Sequence, residues 1–116
     1  LLTWLPCRLV MLSLPMVSKP IWQWPATVIK AESQGRHDAS PNAGRSEAIY
    51  ALCAGVQLGG RNRYGDRWVD KDLLGADQPI ADRDGVIKIL RLTQRLELRW
   101  LLAVAFCSWR LQASVP

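Results

Sequence analysis

"ASPNAGRSEAIYALCAGVQLGG", residues 39 to 60, is the stretch from which the rest of the chain is read. It opens as a polar corner, runs into small apolar residues and ends on a double glycine. Pro41 presets φ for the second position of a turn, and Asn42 tolerates the left-handed region. Ser46 can then cap a helix whose first turn holds Glu47 against the dipole. The pattern predicts a polar motif loop over residues 30 to 45 and a helix over about 46 to 57. Ala48, Ala51, Ala54 and Gly55 on that helix are small enough to let a second helix approach closely.

Upstream of the corner, Leu2, Leu5, Leu9 and Leu12 recur at helical spacing, predicting a short helix over about 6 to 14 with Pro15 ending it. "KPIWQWPATVIK" (residues 19 to 30) places Trp22 and Trp24 between Pro20 and Pro25, a composition that suits a membrane interface, a protein contact or a packed core. Downstream, "RNRYGDRWVDKDLLGADQPIADRDG" (61 to 85) holds six of the ten acidic residues together with Gly65, Gly75 and Pro79. It reads as a long Asp-rich solvent-facing loop over 61 to 84. Asp84 is placed to cap a last helix over about 85 to 111. Lys88, Arg91, Arg95 and Arg99 form a cationic rail on one face of that helix, and "WLLAVAFCSW" (100 to 109) is apolar all round.

The 116 residues supply material for one domain, and nearly half of them are hydrophobic, which argues against intrinsic disorder. Fifteen basic residues against ten acidic ones give a net charge of +5, favouring anionic partners such as phosphates, acidic headgroups or carboxylated substrates. Cys7, Cys53 and Cys107 are odd in number and widely spaced, which fits free thiols and neither a disulfide framework nor a zinc motif. The chain begins at Leu1 without a basic leader, so a truncated chain is expected rather than a secretory signal. Its longest uncharged run, Ala48 to Gly60, falls short of the about 20 apolar residues of a spanning helix.

Few residues carry recognisable chemistry by pattern alone. His37 beside Asp38 suits either a base with an orienting carboxylate or a surface histidine in a turn. The Asp-rich loop suits Mg²⁺ with bound phosphates or a simple solvated loop. There is no P-loop motif and no serine triad. "RNRYGDRW" mixes arginine with aromatics, as single-stranded nucleic-acid binders do, but its interleaved aspartates weaken the local field.

Taken in order, "WLPCRL" (4 to 9), "GRHDASPNAGRSEAIYALCAGVQLGG" (35 to 60), Tyr64-Gly65 and the basic final helix resemble the C-terminal third of the adenosylcobinamide-phosphate synthase family, the CobD/CbiB proteins of cobalamin biosynthesis. The family pattern runs as a P-A-R-L motif, an H-x-S-P-N-S-G-W-P-E-A stretch, A-G-A-L-G-V-x-L-G-G and a tyrosine-glycine pair. Cys7 stands in the alanine place, Arg45-Ser46 replaces tryptophan-proline, and Arg61 replaces a proline after the double glycine.

The resemblance implies a mainly α, membrane-associated helical fragment with long polar loops, belonging to a protein that is multi-pass in the cell membrane. It implies an ATP-dependent amide ligation of aminopropanol phosphate, or a related amino alcohol, to adenosylcobyric acid. ATP and Mg²⁺ are the expected cofactors and the corrinoid a substrate; the missing N-terminal portion is an expected partner chain, and nucleic acid is not. His37 and Glu47 are then the candidate catalytic residues, Ser40, Asn42, Gly59, Gly60 and Tyr64 the candidate substrate-binding ones, and Asp38 a candidate metal ligand. The alternative is a small basic non-catalytic module for a membrane surface or nucleic acid, or a non-functional remnant.

Overall fold

The computed structural model describes residues 2–116. Four helices and one hairpin follow one another: α1 (Trp4–Ser18), a 3-10 turn (Ile21–Gln23), α2 (Trp24–Gly35), α3 (Pro41–Ala54), β1 (Leu58–Tyr64), β2 (Arg67–Leu74) and α4 (Arg83–Ala113). The chain is thus mainly helical, as expected, but several segments depart from the sequence reading.

The first departure is the corner. α3 starts at Pro41, not near Ser46, because a proline at the first helical position loses no hydrogen bond and already holds a helical φ. Ser40 is the cap residue, its backbone extended and its carbonyl accepting from Gly44 N at 2.8 Å. Asn42 therefore lies in the first turn, and among the described residues no non-glycine residue has positive φ. Ser46 is an interior residue whose hydroxyl donates to the Asn42 carbonyl at 3.0 Å. α2 runs on to Gly35, so the polar loop shrinks to the few residues between Arg36 and Ser40.

The second departure is the hairpin in place of the long Asp-rich loop. β1 and β2 pair antiparallel, with Arg61 opposite Asp70, Arg63 opposite Trp68 and Tyr64 opposite Arg67. The connection is two residues, Gly65-Asp66, with positive φ at Gly65 alone (+61°), the signature of a type II′ turn that matches the twist of paired strands. Beyond it, Gln57 N donates to Pro79 O at 2.7 Å, pinning the segment after β2 beside the end of α3.

α1 also outruns its expected end, since Pro15 lies inside it. Side-chain bonds brace the turn around it: Trp24 Nε1 donates to Leu12 O at 2.7 Å, and the Ser18 hydroxyl donates to Leu14 O at 3.0 Å. At the other end of the chain Asp82, not Asp84, caps α4, its Oδ1 accepting from Gly85 N at 2.8 Å; Asp84 instead sits in the first turn, where its charge favours the dipole.

The core lies where α1, α2 and α3 meet the first half of α4. Met11, Leu14, Ala31, Ala48, Ile49, Cys53, Leu92 and Leu96 are buried there. α2 and α3 cross at Gly35 and Gly44; a Cβ on Gly35 would stand 2.5 Å from Arg45 Cα, so the crossing admits no larger residue. Tyr50 and Thr93 share a 2.8 Å hydroxyl bond between α3 and α4. Trp100 Nε1 still donates to Ser13 Oγ of α1 at 3.2 Å, and beyond it α4 leaves the body; every residue from Glu97 to the C-terminus is exposed, Leu101, Phe106 and Trp109 included. That arm makes the molecule long, 61 × 30 × 25 Å. Among the described residues no helix is long and apolar enough to cross a membrane, α4 being interrupted by arginines. The expectation of a transmembrane helix is not met by these residues.

Candidate active site

The first turn of α3 and the loop before it place the motif residues. Asp38 folds back to the helix start, Oδ1 accepting from Ser40 N at 2.8 Å, while its other oxygen faces β2. One and a half turns further on, Glu47 leaves α3 toward the same strand. Lys71 of β2 stands between them, its Nζ 3.5 Å from Asp38 Oδ2 and 3.4 Å from Glu47 Oε2. The Asp38 side chain is only 8% exposed, so the ammonium is its main compensation for lost hydration. Desolvation, the largest single influence on Lys71, works to lower its pKa, but the Glu47 and Asp38 carboxylates together outweigh it and hold the pKa above the ordinary lysine value. Lys71 is therefore a fixed cation at neutral pH.

Two clefts flank this triad. One, of about 410 Å³, is lined by Glu47, Gly59, Asn62, Tyr64, Lys71 and Ile80 among others. The second, of about 300 Å³, runs past His37, Asp38, Asp70, Lys71 and Asp72. Lys71 belongs to both. The two sequence-predicted catalytic residues are thereby separated: Glu47 faces the first cleft and His37 the second. His37 is exposed, and its Nε2 accepts from Arg36 Nε at 3.2 Å.

The predicted substrate-binding residues divide as well. Gly59 and Tyr64 line the larger cleft. A side chain at Gly59 would strike the Asp72 carbonyl, so this position needs glycine for the close approach of β2. Gly60 lies in the same strand, paired with Lys71, and its backbone serves the hairpin. Asn42 turns the other way: its Oδ1 accepts from Arg8 Nη1 at 2.9 Å and its Nδ2 donates to Thr3 Oγ1 at 3.3 Å. Asn42 thus fastens α3 to α1, and Arg8 in turn stacks on Trp4 at 5.0 Å. The Ser40 side chain makes no capping bond.

Among the described residues no group of three or more His, Cys, Asp and Glu is disposed to hold a metal. Asp38 and Glu47 have an ammonium between them rather than a space for a divalent ion, so the donor set does not fit Mg²⁺ on this chain's side chains alone.

Beside the triad, Arg45 grips Glu32 of α2 with two bonds of 2.6 Å, a bidentate pair that locks α2 to α3. Residues 4 to 9 and 58 to 71 thus both fasten to the segment from 35 to 47, the first at Asn42 and the second at Asp38 and Glu47. This is the part of the chain that the family model described as CobD/Cbib protein matches, over residues 1–93. The chain belongs to the CobD/CbiB family. It is 48% identical over 75 residues to the protein of Synechocystis sp. (strain ATCC 27184 / PCC 6803 / Kazusa) named cobalamin biosynthesis protein CobD. That match takes in 64% of this chain and 21% of the relative, so the chain spans about a fifth of the relative's length. No solved structure matches it.

Within the CobD/CbiB match, the "WLPCRL" segment and the S-P-N segment are brought into contact by the Arg8–Asn42 bond. Lys71 is the residue that sequence reasoning missed. Its only sequence signal was being the lone lysine in an aspartate-rich run, a pattern equally suited to a solvated loop.

Proposed function

We propose that this chain takes part in cobalamin biosynthesis as a portion of an adenosylcobinamide-phosphate synthase. The reaction is the amide ligation of aminopropanol phosphate, or a related amino alcohol, to a propionate carboxylate of adenosylcobyric acid. Membership of the CobD/CbiB family supports the pathway, and the observation that carries the ligation is the Asp38–Lys71–Glu47 triad at the edge of a cleft. ATP supplies the phosphoryl group that activates the carboxylate. The incoming amine arrives as an ammonium and must lose a proton before it attacks; the C–N bond then forms as phosphate leaves. Glu47, 40% exposed and facing the cleft, is suited to hold that ammonium. Lys71, fixed as a cation, is suited to hold the carboxylate or phosphate oxygens opposite it. His37, on the other cleft, is suited to accept the proton only if the substrate spans both sides of Lys71.

Because the chain spans a fifth of its relative, the remaining portion is proposed as a partner, on the same chain or a separate one. Association with the cell membrane is proposed through the exposed apolar arm of α4, which resembles an interfacial anchor rather than a span. A chimera tests the ligase reading: this chain's residues 1–93 replace the matching part of the Synechocystis relative in a host lacking its own synthase. Formation of adenosylcobinamide phosphate is expected, with a loss of about tenfold or more in Glu47→Gln and Lys71→Met. A functional chimera unaffected by both substitutions would remove the triad from the site.

A further inference from the structure

A cleft of about 630 Å³ shares no lining residue with the two around Lys71. It lies between the end of α1, the end of α3 and the first half of α4, and four cations face it: Lys19, Lys88, Arg91 and Arg95. Asp84 is the single carboxylate in its wall, and Cys53 forms part of its floor. Burial pushes the Cys53 thiol up from its ordinary pKa, so the floor stays neutral and offsets none of the charge.

Among the described residues none of the four cations takes part in an ion pair. Lys88, Arg91 and Arg95 follow at helical spacings of three and four, which stacks like charges on one face and is unfavourable unless an anion lies against them. The C-terminal end of α3 accounts for Lys88 alone, whose Nζ stands 4.0 Å from where a Cβ on Gly55 would be. It leaves Arg91, Arg95 and Lys19 without a structural partner. Two guanidinium groups and two ammonium groups around one hollow are the usual recognition set for phosphate oxygens.

We propose that this groove is a binding site for a phosphate-bearing anion, held by Lys19, Lys88, Arg91 and Arg95. It deepens the ligase reading by giving that reaction's phosphate groups a place on this chain. It is tested by binding rather than turnover, so either can fail without the other. The phosphate can come from a soluble polyphosphate or from a lipid headgroup, since the groove lies on the same helix that carries the apolar arm.

The 116-residue chain is titrated with inorganic triphosphate by calorimetry, and separately with phosphatidylcholine vesicles with and without phosphatidylglycerol. Saturable triphosphate binding is expected, weakened about tenfold or more by Arg91→Gln/Arg95→Gln and measurably by Lys19→Gln on a different element. Arg61→Gln/Arg63→Gln, an equal charge loss on the hairpin, should leave it unchanged. Groove-dependent binding only to the phosphatidylglycerol vesicles would assign the same site to a headgroup. No binding to either probe, or equal weakening by the groove and hairpin variants, would overturn the site.

Discussion

Lys71 Nζ lies 3.4 Å from Glu47 Oε2, which ties the exposed hairpin to the middle of α3. With the second contact to Asp38, one lysine fixes the loop before α3, the helix itself and β2. Lys71→Met should therefore destabilise the fold by about 1–3 kcal/mol, mostly by leaving the Asp38 carboxylate buried without a cation. Asp38→Asn in the Lys71→Met background should recover part of that loss. Urea unfolding of the single and double variants measures the coupling; strictly additive effects would mean that the pair contributes nothing to stability.

The Glu32–Arg45 pair sets a pH dependence. The hydrogen bonds from Arg45 come first in holding the Glu32 carboxyl below its ordinary pKa of about 4.5, against a smaller opposing effect of burial. A carboxyl whose folded pKa is depressed contributes stability that is complete above its unfolded pKa and is lost as pH falls through the folded value. Wild type should lose more of its urea midpoint between about pH 5 and pH 3 than Glu32→Gln does. Parallel pH profiles for the two proteins would show that the pair adds nothing.

Much of the helical frame could be read in advance because its signals are local. The leucine spacing of α1, the small residues of α3 and the rail of α4 each mark a face that something must cover or solvate. The hairpin escaped for a physical reason: most of its residues, from Arg61 to Leu73, are exposed, so no period-two apolar alternation is written into it. Only the Gly65-Asp66 turn announced it. The triad escaped with it, since Lys71 meets Glu47 only once the strands pair. Asn42 was legible as important but not as what it is, a clasp between α1 and α3, because its partner Arg8 lies 34 residues away.

The α2–α3 crossing makes a sharper prediction. At Gly35 an added methyl would meet backbone atoms of Gly44 and Arg45 rather than a side chain that can swing aside. Gly35→Ala should cost about 3 kcal/mol or prevent folding, whereas Gly65→Ala, with open space around the turn, should cost only its unfavourable φ, about 1 kcal/mol. Thermal melts of the two variants rank them; equal losses would mean that α2 and α3 can separate at little cost.

Cysteine chemistry distinguishes the body of the molecule from its arm. Cys107 is exposed on the free part of α4, Cys7 is partly covered on α1, and Cys53 is buried in the core with its thiol pKa raised by desolvation. Because the thiolate is the reacting species, Cys53 is protected twice, by lack of access and by a smaller ionised fraction at neutral pH. Iodoacetamide should label Cys107 first and Cys53 last under native conditions, with all three reacting together in urea. Mass spectrometry of a labelling time course reads the order directly. Early modification of Cys53 would mean that the contact between α4 and the three-helix body opens readily.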